Sequence, residues 1–165
     1  GSVGTRGTGG RGLPAAAPNP ISESLERVVR AAEEWAAGRL ASRDVPWPGW
    51  STQERLQFLR RLPVPLSSER MRELDALLGL TDSGNAEIAF QWLLHSLKSD
   101  YAATDARLEE FLVSIGRRKF IKPLYEELVK SEPGRRRALA IYRRARPGYH
   151  PIAVDTVDRI VGWSA

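Results

Sequence analysis

The chain has 165 residues, 42% hydrophobic and 27% charged, the proportions of a globular domain large enough to bury a core. No run approaches the roughly 20 apolar residues of a membrane span, and the opening residues lack a signal peptide's apolar stretch, so neither a membrane span nor export is expected. Without cysteine there are no disulfides or thiolate metal sites, and the net charge of +5 arises from 25 basic and 20 acidic residues that are interspersed.

Residues 1–20 are rich in Gly, Pro, Thr and Ala and read as a flexible lead-in; residues 21–165 read as one helical domain. Gly1-Ser2 resembles the scar of a cleaved expression tag, so the chain is expected to come from something longer. From Ser22 onward, Leu25, Val28, Val29, Ala32, Trp35 and Ala36 recur at three- and four-residue steps. That spacing predicts a helix capped by Ser22 or Ser24 and ending near Leu40. Two prolines and a glycine make Asp44 to Trp50 a turn. Ser51 and Glu54 have capping-box spacing ahead of Leu56, Leu59 and Leu62, and Pro63 and Pro65 end that helix. Ser67 starts another, with Met71, Leu74, Leu77 and Leu78 inward and Gly79 at its C-terminal cap.

Asn85 caps an amphipathic helix with Ile88, Trp92 and His95 on one face, its stripe widened by Phe90, Leu94 and Leu97. A helix from about Tyr101 uses Leu108, Phe111, Leu112 and Ile115 and closes at Gly116. Pro123 fits the first turn of a short helix through Leu124, Leu128 and Val129. Two more follow, at about Glu132 to Arg144 and Pro151 to Val161. No strand alternation competes. The fold class is all-α: eight to nine helices in antiparallel pairs, stacked as a right-handed α-solenoid of armadillo/HEAT-like type. No strict sequence period supports a named repeat.

Catalytic motifs are missing. The only histidines, His95 and His150, lack the four-residue spacing of a helical zinc site, and two are fewer than such sites need. His95 reads as a core-edge residue with a satisfied ring nitrogen, and His150 as a local cap. There is no Gly-x-Ser-x-Gly, and Gly7-Thr8-Gly9-Gly10 lacks a phosphate loop's lysine. The adjacent carboxylates Glu33-Glu34, Glu109-Glu110 and Glu126-Glu127 point about 100° apart on helices and cannot converge on one substrate. Arg135-Arg136-Arg137 scatter around a helix, and no aromatic-plus-basic platform for single strands accompanies them.

One basic cluster stands out, Arg117, Arg118, Lys119 and Lys122 between Gly116 and Pro123. As the tail of the preceding helix these cations would complement its dipole; as the entry to the next they would oppose it, and an anion would relieve them. A solvated basic turn and a carboxylate or phosphate clamp both fit the residues.

The segment Gly116-Arg117-Arg118-Lys119-Phe120-Ile121-Lys122-Pro123-Leu124-Tyr125 resembles the Gly-Arg-x-Lys-Phe-x-Arg/Lys-Pro-Leu-aromatic segment of the leukotriene A(4) hydrolase and aminopeptidase family. Other stretches agree in order: Gly12-Leu13-Pro14 with Pro18-Asn19, then Leu62-Pro63-Val64-Pro65-Leu66. Asn85-Ala86-Glu87-Ile88 with Trp92 follows, and His150-Pro151-Ile152 completes the set. The resemblance covers nearly everything from Gly12 to Gly162.

It implies the C-terminal helical domain of a zinc metallo-aminopeptidase, a hydrolase whose zinc lies in an upstream thermolysin-like domain. This chain would then hold no cofactor and no metal, and would not be catalytic alone. Its partners would be the upstream catalytic domain and the carboxylate of a short peptide substrate, with no nucleic acid and no membrane. Arg117 would recognise that carboxylate, with Lys119 assisting. The implied location is cytoplasmic. Arg118 departs from the family, which often has a hydrophobic residue such as methionine there. The alternative is a free-standing helical-repeat scaffold for protein-protein interaction; a nucleic-acid binder would need a continuous basic stripe.

Overall fold

Side-chain caps decide where most of the helices begin. The computed structural model describes residues 20–164; apart from Pro20, the lead-in expected over residues 1–20 lies outside them, as do the family-like stretches up to Asn19. Among the described residues the elements are α1 (Pro20–Ala36), α2 (Thr52–Arg61), α3 (Ser68–Leu78), α4 (Ala86–Lys98), α5 (Asp105–Ser114), α6 (Arg118–Leu128), α7 (Glu132–Ala145) and α8 (Pro151–Val161). Short 3-10 turns lie at Ser42–Asp44, Trp47–Gly49, Ala102–Thr104 and Arg146–Gly148, and no strand is present among these residues.

Ser51 and Glu54 form a reciprocal capping box on α2. Ser67, Asn85 and Ser131 accept backbone N–H groups at the starts of α3, α4 and α7, and the His150 ring does so for α8. Each such cap contributes about 1 kcal/mol by satisfying a donor that the helix leaves open. Gly79, left-handed at φ 63°, ends α3 as its cap position requires.

Five boundaries differ from the sequence expectation. Helix α1 already runs through Ser22 and Ser24, so neither is its cap, and Ser24 instead hydrogen-bonds Glu54 of α2. It stops at Ala36, short of Leu40, because Gly38 turns left-handed at φ 82°. Helix α5 starts at Asp105 after a 3-10 turn and ends at Ser114, before Gly116. Helix α6 starts at Arg118, so Pro123 is its sixth residue and not in its first turn. Leu77, expected inward, is 53% exposed. Its direction lies well off the Met71–Leu74–Leu78 stripe, and α3 packs chiefly on the Ser42–Asp44 turn.

The even-numbered helices pack in sequence, α2 on α4, α4 on α6 and α6 on α8, while α5 packs on α7 and α1 on α2. Helices two apart in the chain are therefore neighbours, the layering of stacked helical pairs. The core falls into two clusters, and α4 serves both. Ile88 and Trp92 enter the N-terminal cluster with Trp35, Phe58 and Met71. Ala89 and Leu93, one residue further round, enter the C-terminal cluster with Phe111, Ile121 and Tyr142. A helix buried on two faces must be apolar over most of its circumference, which is why Phe90, Leu94 and Leu97 widen its stripe.

Several polar groups inside the core are matched, although the buried Trp163 Nε1 has no hydrogen-bond partner among the described residues. Trp92 Nε1 donates to Thr81 Oγ1 at 3.1 Å, and the Asp75 carboxylate accepts from the Thr81 hydroxyl at 2.5 Å and the Tyr101 hydroxyl at 2.9 Å. Burial, with that carboxylate next, pushes the Tyr101 hydroxyl up to about 12. Among the described residues no helix is long and apolar enough to cross a membrane.

Candidate functional site

Arg117 is the N-cap residue of α6 in extended backbone, and Arg118 begins the helix. The basic cluster is thus the entry to α6 and not the tail of α5, which ended at Ser114. No acidic side chain occupies the first turn of α6. Cations there oppose the positive end of the helix dipole, an arrangement relieved by a nearby anion.

What holds the cluster in place is apolar. Phe120 and Ile121 are buried, and the Phe120 ring packs against Phe90 at 5.3 Å and edge-on against Phe111 at 6.1 Å between centroids. The exposed cations Arg117 and Lys119, which precede Phe120 in sequence, gather over its ring: Arg117 Cζ lies 5.4 Å and Lys119 Nζ 5.0 Å from its centroid. Cation–π attraction of about 0.5–1 kcal/mol per exposed pair favours that placement.

Lys119 Nζ also donates to Glu87 Oε1 of α4 at 2.9 Å. That bond, aided by the charges of Arg60 and Arg117 and opposed by partial burial, holds the Glu87 carboxyl below its ordinary value. Lys122 is loosely paired with Glu126 at 3.7 Å. Arg117 and Arg118 have no described carboxylate at ion-pair distance. Together Arg117, Arg118, Lys119, Lys122 and Pro123 line one open concavity. A guanidinium can hold a carboxylate through two parallel hydrogen bonds, and an ammonium adds a point charge. In open water such pairs contribute little; beneath a surface that excludes water the same charges interact far more strongly.

Sequence reasoning singled out Arg117 and Lys119 but missed Glu87 as their neighbour. Glu87 stood in the Asn85–Ile88 stretch, as an acidic residue in a first helical turn; nothing local showed that α6 would cross beside it.

The other candidates are committed elsewhere. His95 Nε2 donates to the Pro63 carbonyl at 3.0 Å, and its Nδ1 lies 3.2 Å from Ser99 Oγ. A carbonyl can only accept, so Nδ1 accepts from the Ser99 hydroxyl, and the neutral ring uses both nitrogens. Burial pushes its pKa below the usual imidazole value. His150 Nδ1 accepts from Ile152 N at 3.1 Å, the local cap expected of it. Among the described residues no three His, Cys, Asp or Glu side chains gather as a metal cluster, so these residues do not fit a zinc site; the zinc of the family resemblance is one of an upstream domain. Of the adjacent carboxylates, Glu110 pairs with Arg107 and Glu127 with Lys130, both at 2.9 Å. Glu34 pairs with Arg39 and Glu109 with Arg144. They act as ion-pair partners on the helix surface. Arg137 binds the Asp105 carbonyl at 2.9 Å and its carboxylate at 3.2 Å, tying α7 to α5.

Residues 50–161 match the family described as Leukotriene A4 hydrolase, C-terminal. Leucine aminopeptidase 2 of Neurospora crassa is 30% identical over 158 residues, covering 93% of this chain and 23% of its own length. The protein of the same name from Pyricularia oryzae is 28% identical over 158 residues, covering 93% of this chain and 25% of its own length. Native yeast LTA4 hydrolase superimposes with a TM-score of 0.73 at 21% identity, over 89% of this chain and 27% of that one, a likeness of fold. The chain therefore spans about a quarter of the length of the curated relatives it matches.

Proposed function

The chain belongs to the Leukotriene A4 hydrolase C-terminal family, and on that premise we propose that it is the substrate-positioning domain of a larger zinc aminopeptidase. In this reading it supplies a cationic clamp for the carboxylate of a short peptide, and an upstream domain of the same protein supplies the zinc and the bond-breaking chemistry. A cytoplasmic location belongs to the same reading.

One observation carries it: Arg117 and Lys119 reach over one buried ring into one concavity, exposed to any module that covers the entry of α6. A fork and a point charge fixed to a packed helix set the distance between a bound carboxylate and a scissile bond elsewhere. That favours peptides of matching length and lowers the barrier by pre-aligning the reactants. Lys119 keeps its ammonium directed by donating to Glu87, so the incoming carboxylate meets an oriented group.

Arg117→Ala in the full-length protein tests the proposal. Turnover of a tripeptide with a free carboxylate should fall about 10- to 100-fold, roughly the 1.5–3 kcal/mol of a charged hydrogen-bonding partner. The same tripeptide with an amidated C-terminus should be spared. Equal loss on both substrates refutes the clamp.

A further inference from the structure

The concavity at the entry of α6 holds more positive charge than a single carboxylate requires. Four cations line it, and the chain itself supplies two counter-charges: Glu87 on Lys119 at 2.9 Å, and Glu126 on Lys122 at 3.7 Å. Neither Glu87 nor Glu126 is among the lining residues. Two formal positive charges, those of Arg117 and Arg118, are left without a described counter-ion.

The four cations also divide into two pairs by position. Arg117 and Lys119 share the Phe120 ring. Arg118 and Lys122 are four residues apart on α6, so they lie on one face of the helix, one above the other. Like charges at that spacing repel by a few tenths of a kcal/mol, and one anion placed between them removes the repulsion. The family resemblance gives Arg118 no role, because an apolar residue such as methionine is common at its position, whereas Lys122 matches the motif's Arg/Lys.

Resting on the clamp reading, we propose that the preferred substrates are short peptides ending in Asp or Glu, whose two carboxylates occupy the two pairs. Arg117 with Lys119 takes the terminal carboxylate, and Arg118 with Lys122 takes the carboxylate of the last side chain. Arg118 and Lys122 are then specificity-determining residues. The two negative charges of such a terminus equal the two unmatched positive charges of the concavity.

The test compares the tripeptides Leu-Ala-Glu and Leu-Ala-Gln, alike in shape and differing by one charge, as substrates of the full-length protein. The Glu peptide should be favoured about tenfold in kcat/KM, mainly through KM, and the ratio should shrink as salt is raised. In the double variant Arg118→Ala/Lys122→Ala the ratio should fall to about one, with most of the loss on the Glu peptide. Both side chains are exposed and alanine suits a helix, so the variant should retain its unfolding midpoint. Equal turnover of the two peptides by the unaltered protein, both still dependent on Arg117, would overturn this inference and leave the clamp standing. If neither peptide depends on Arg117, or neither is turned over, the clamp reading fails and this inference with it.

Discussion

Lys119 of α6 donates to Glu87 of α4 at 2.9 Å, a contact across 32 residues of sequence that sets one cation of the proposed clamp against a carboxylate of the same chain. The two helices are already packed through Phe90 and Phe120, so the ion pair orients an ammonium and does not build the interface. Both partners are about half exposed, which makes the pair a weak source of stability.

Glu87→Gln separates orientation from charge. The glutamine oxygen can still accept from Lys119, while one negative charge leaves the neighbourhood of Arg117. A free-carboxylate peptide should bind about two- to fivefold more tightly, seen as a lower KM, with the amidated peptide unchanged. The unfolding midpoint should hardly move at neutral pH. Because the folded carboxyl is held below its ordinary value, whatever stability the pair adds is present above that value. It is lost as pH falls through the lowered one. A raised KM would show that the charge of Glu87 is needed to hold Lys119.

His95 links α4 to the Pro63–Leu66 turn: its ring donates to the Pro63 carbonyl and accepts from Ser99, whose oxygen in turn accepts from Leu66 N at 3.0 Å. Burial lowers its folded pKa, so the unfolded chain takes up the proton first as pH falls. Full stability should hold above about pH 6.5, the ordinary imidazole value, and decline below it until the folded ring also protonates. Urea midpoints at about pH 7.5 and about pH 5.5, on either side of that value, should show this drop in the unaltered chain. In His95→Gln, which keeps a donor for Pro63 and cannot titrate, this part of the drop should vanish; an unchanged drop would remove His95 as its source.

Pro123 lies six residues into α6, where a residue with an N–H would donate to the Lys119 carbonyl. The proline deprives that carbonyl of its helical partner beside the candidate site. Pro123→Ala should restore the bond and stabilise the chain by about 1–3 kcal/mol, less the entropy advantage proline brings by restricting the unfolded state. Chemical denaturation measures this. If the proline shapes the concavity it lines, peptide turnover should fall as stability rises; a gain in both would make Pro123 a tolerated defect and no part of the site.

Helices were legible wherever the determining chemistry is local. The Ser51–Glu54 capping box, the Asn85 cap and the Gly79 stop each depend on residues within a few positions, and each formed where its spacing predicts. Pro151 likewise opens α8 directly after the His150 cap. Pro123 misled because the same residue is tolerated in a first turn and, with a lost bond, further in. The buried Phe120 and Ile121 on its N-terminal side carry the helix past it. Leu77 misled because a leucine near a helical stripe looks inward whether or not a neighbouring helix covers it.

The order of chemical types along the chain was enough to determine an all-helical fold, most caps and the residues of the basic cluster, since hydrogen bonding along a helix and side-chain periodicity are short-range. Only packing decided that α4 would be buried on two faces, and that α6 would bring Lys119 against Glu87. It also decided that four cations would share one concavity, two of them with no counter-ion among the described residues. Those outcomes depend on which helix lies beside which. That is settled by burial of apolar surface between segments far apart in sequence, and no local spacing encodes it.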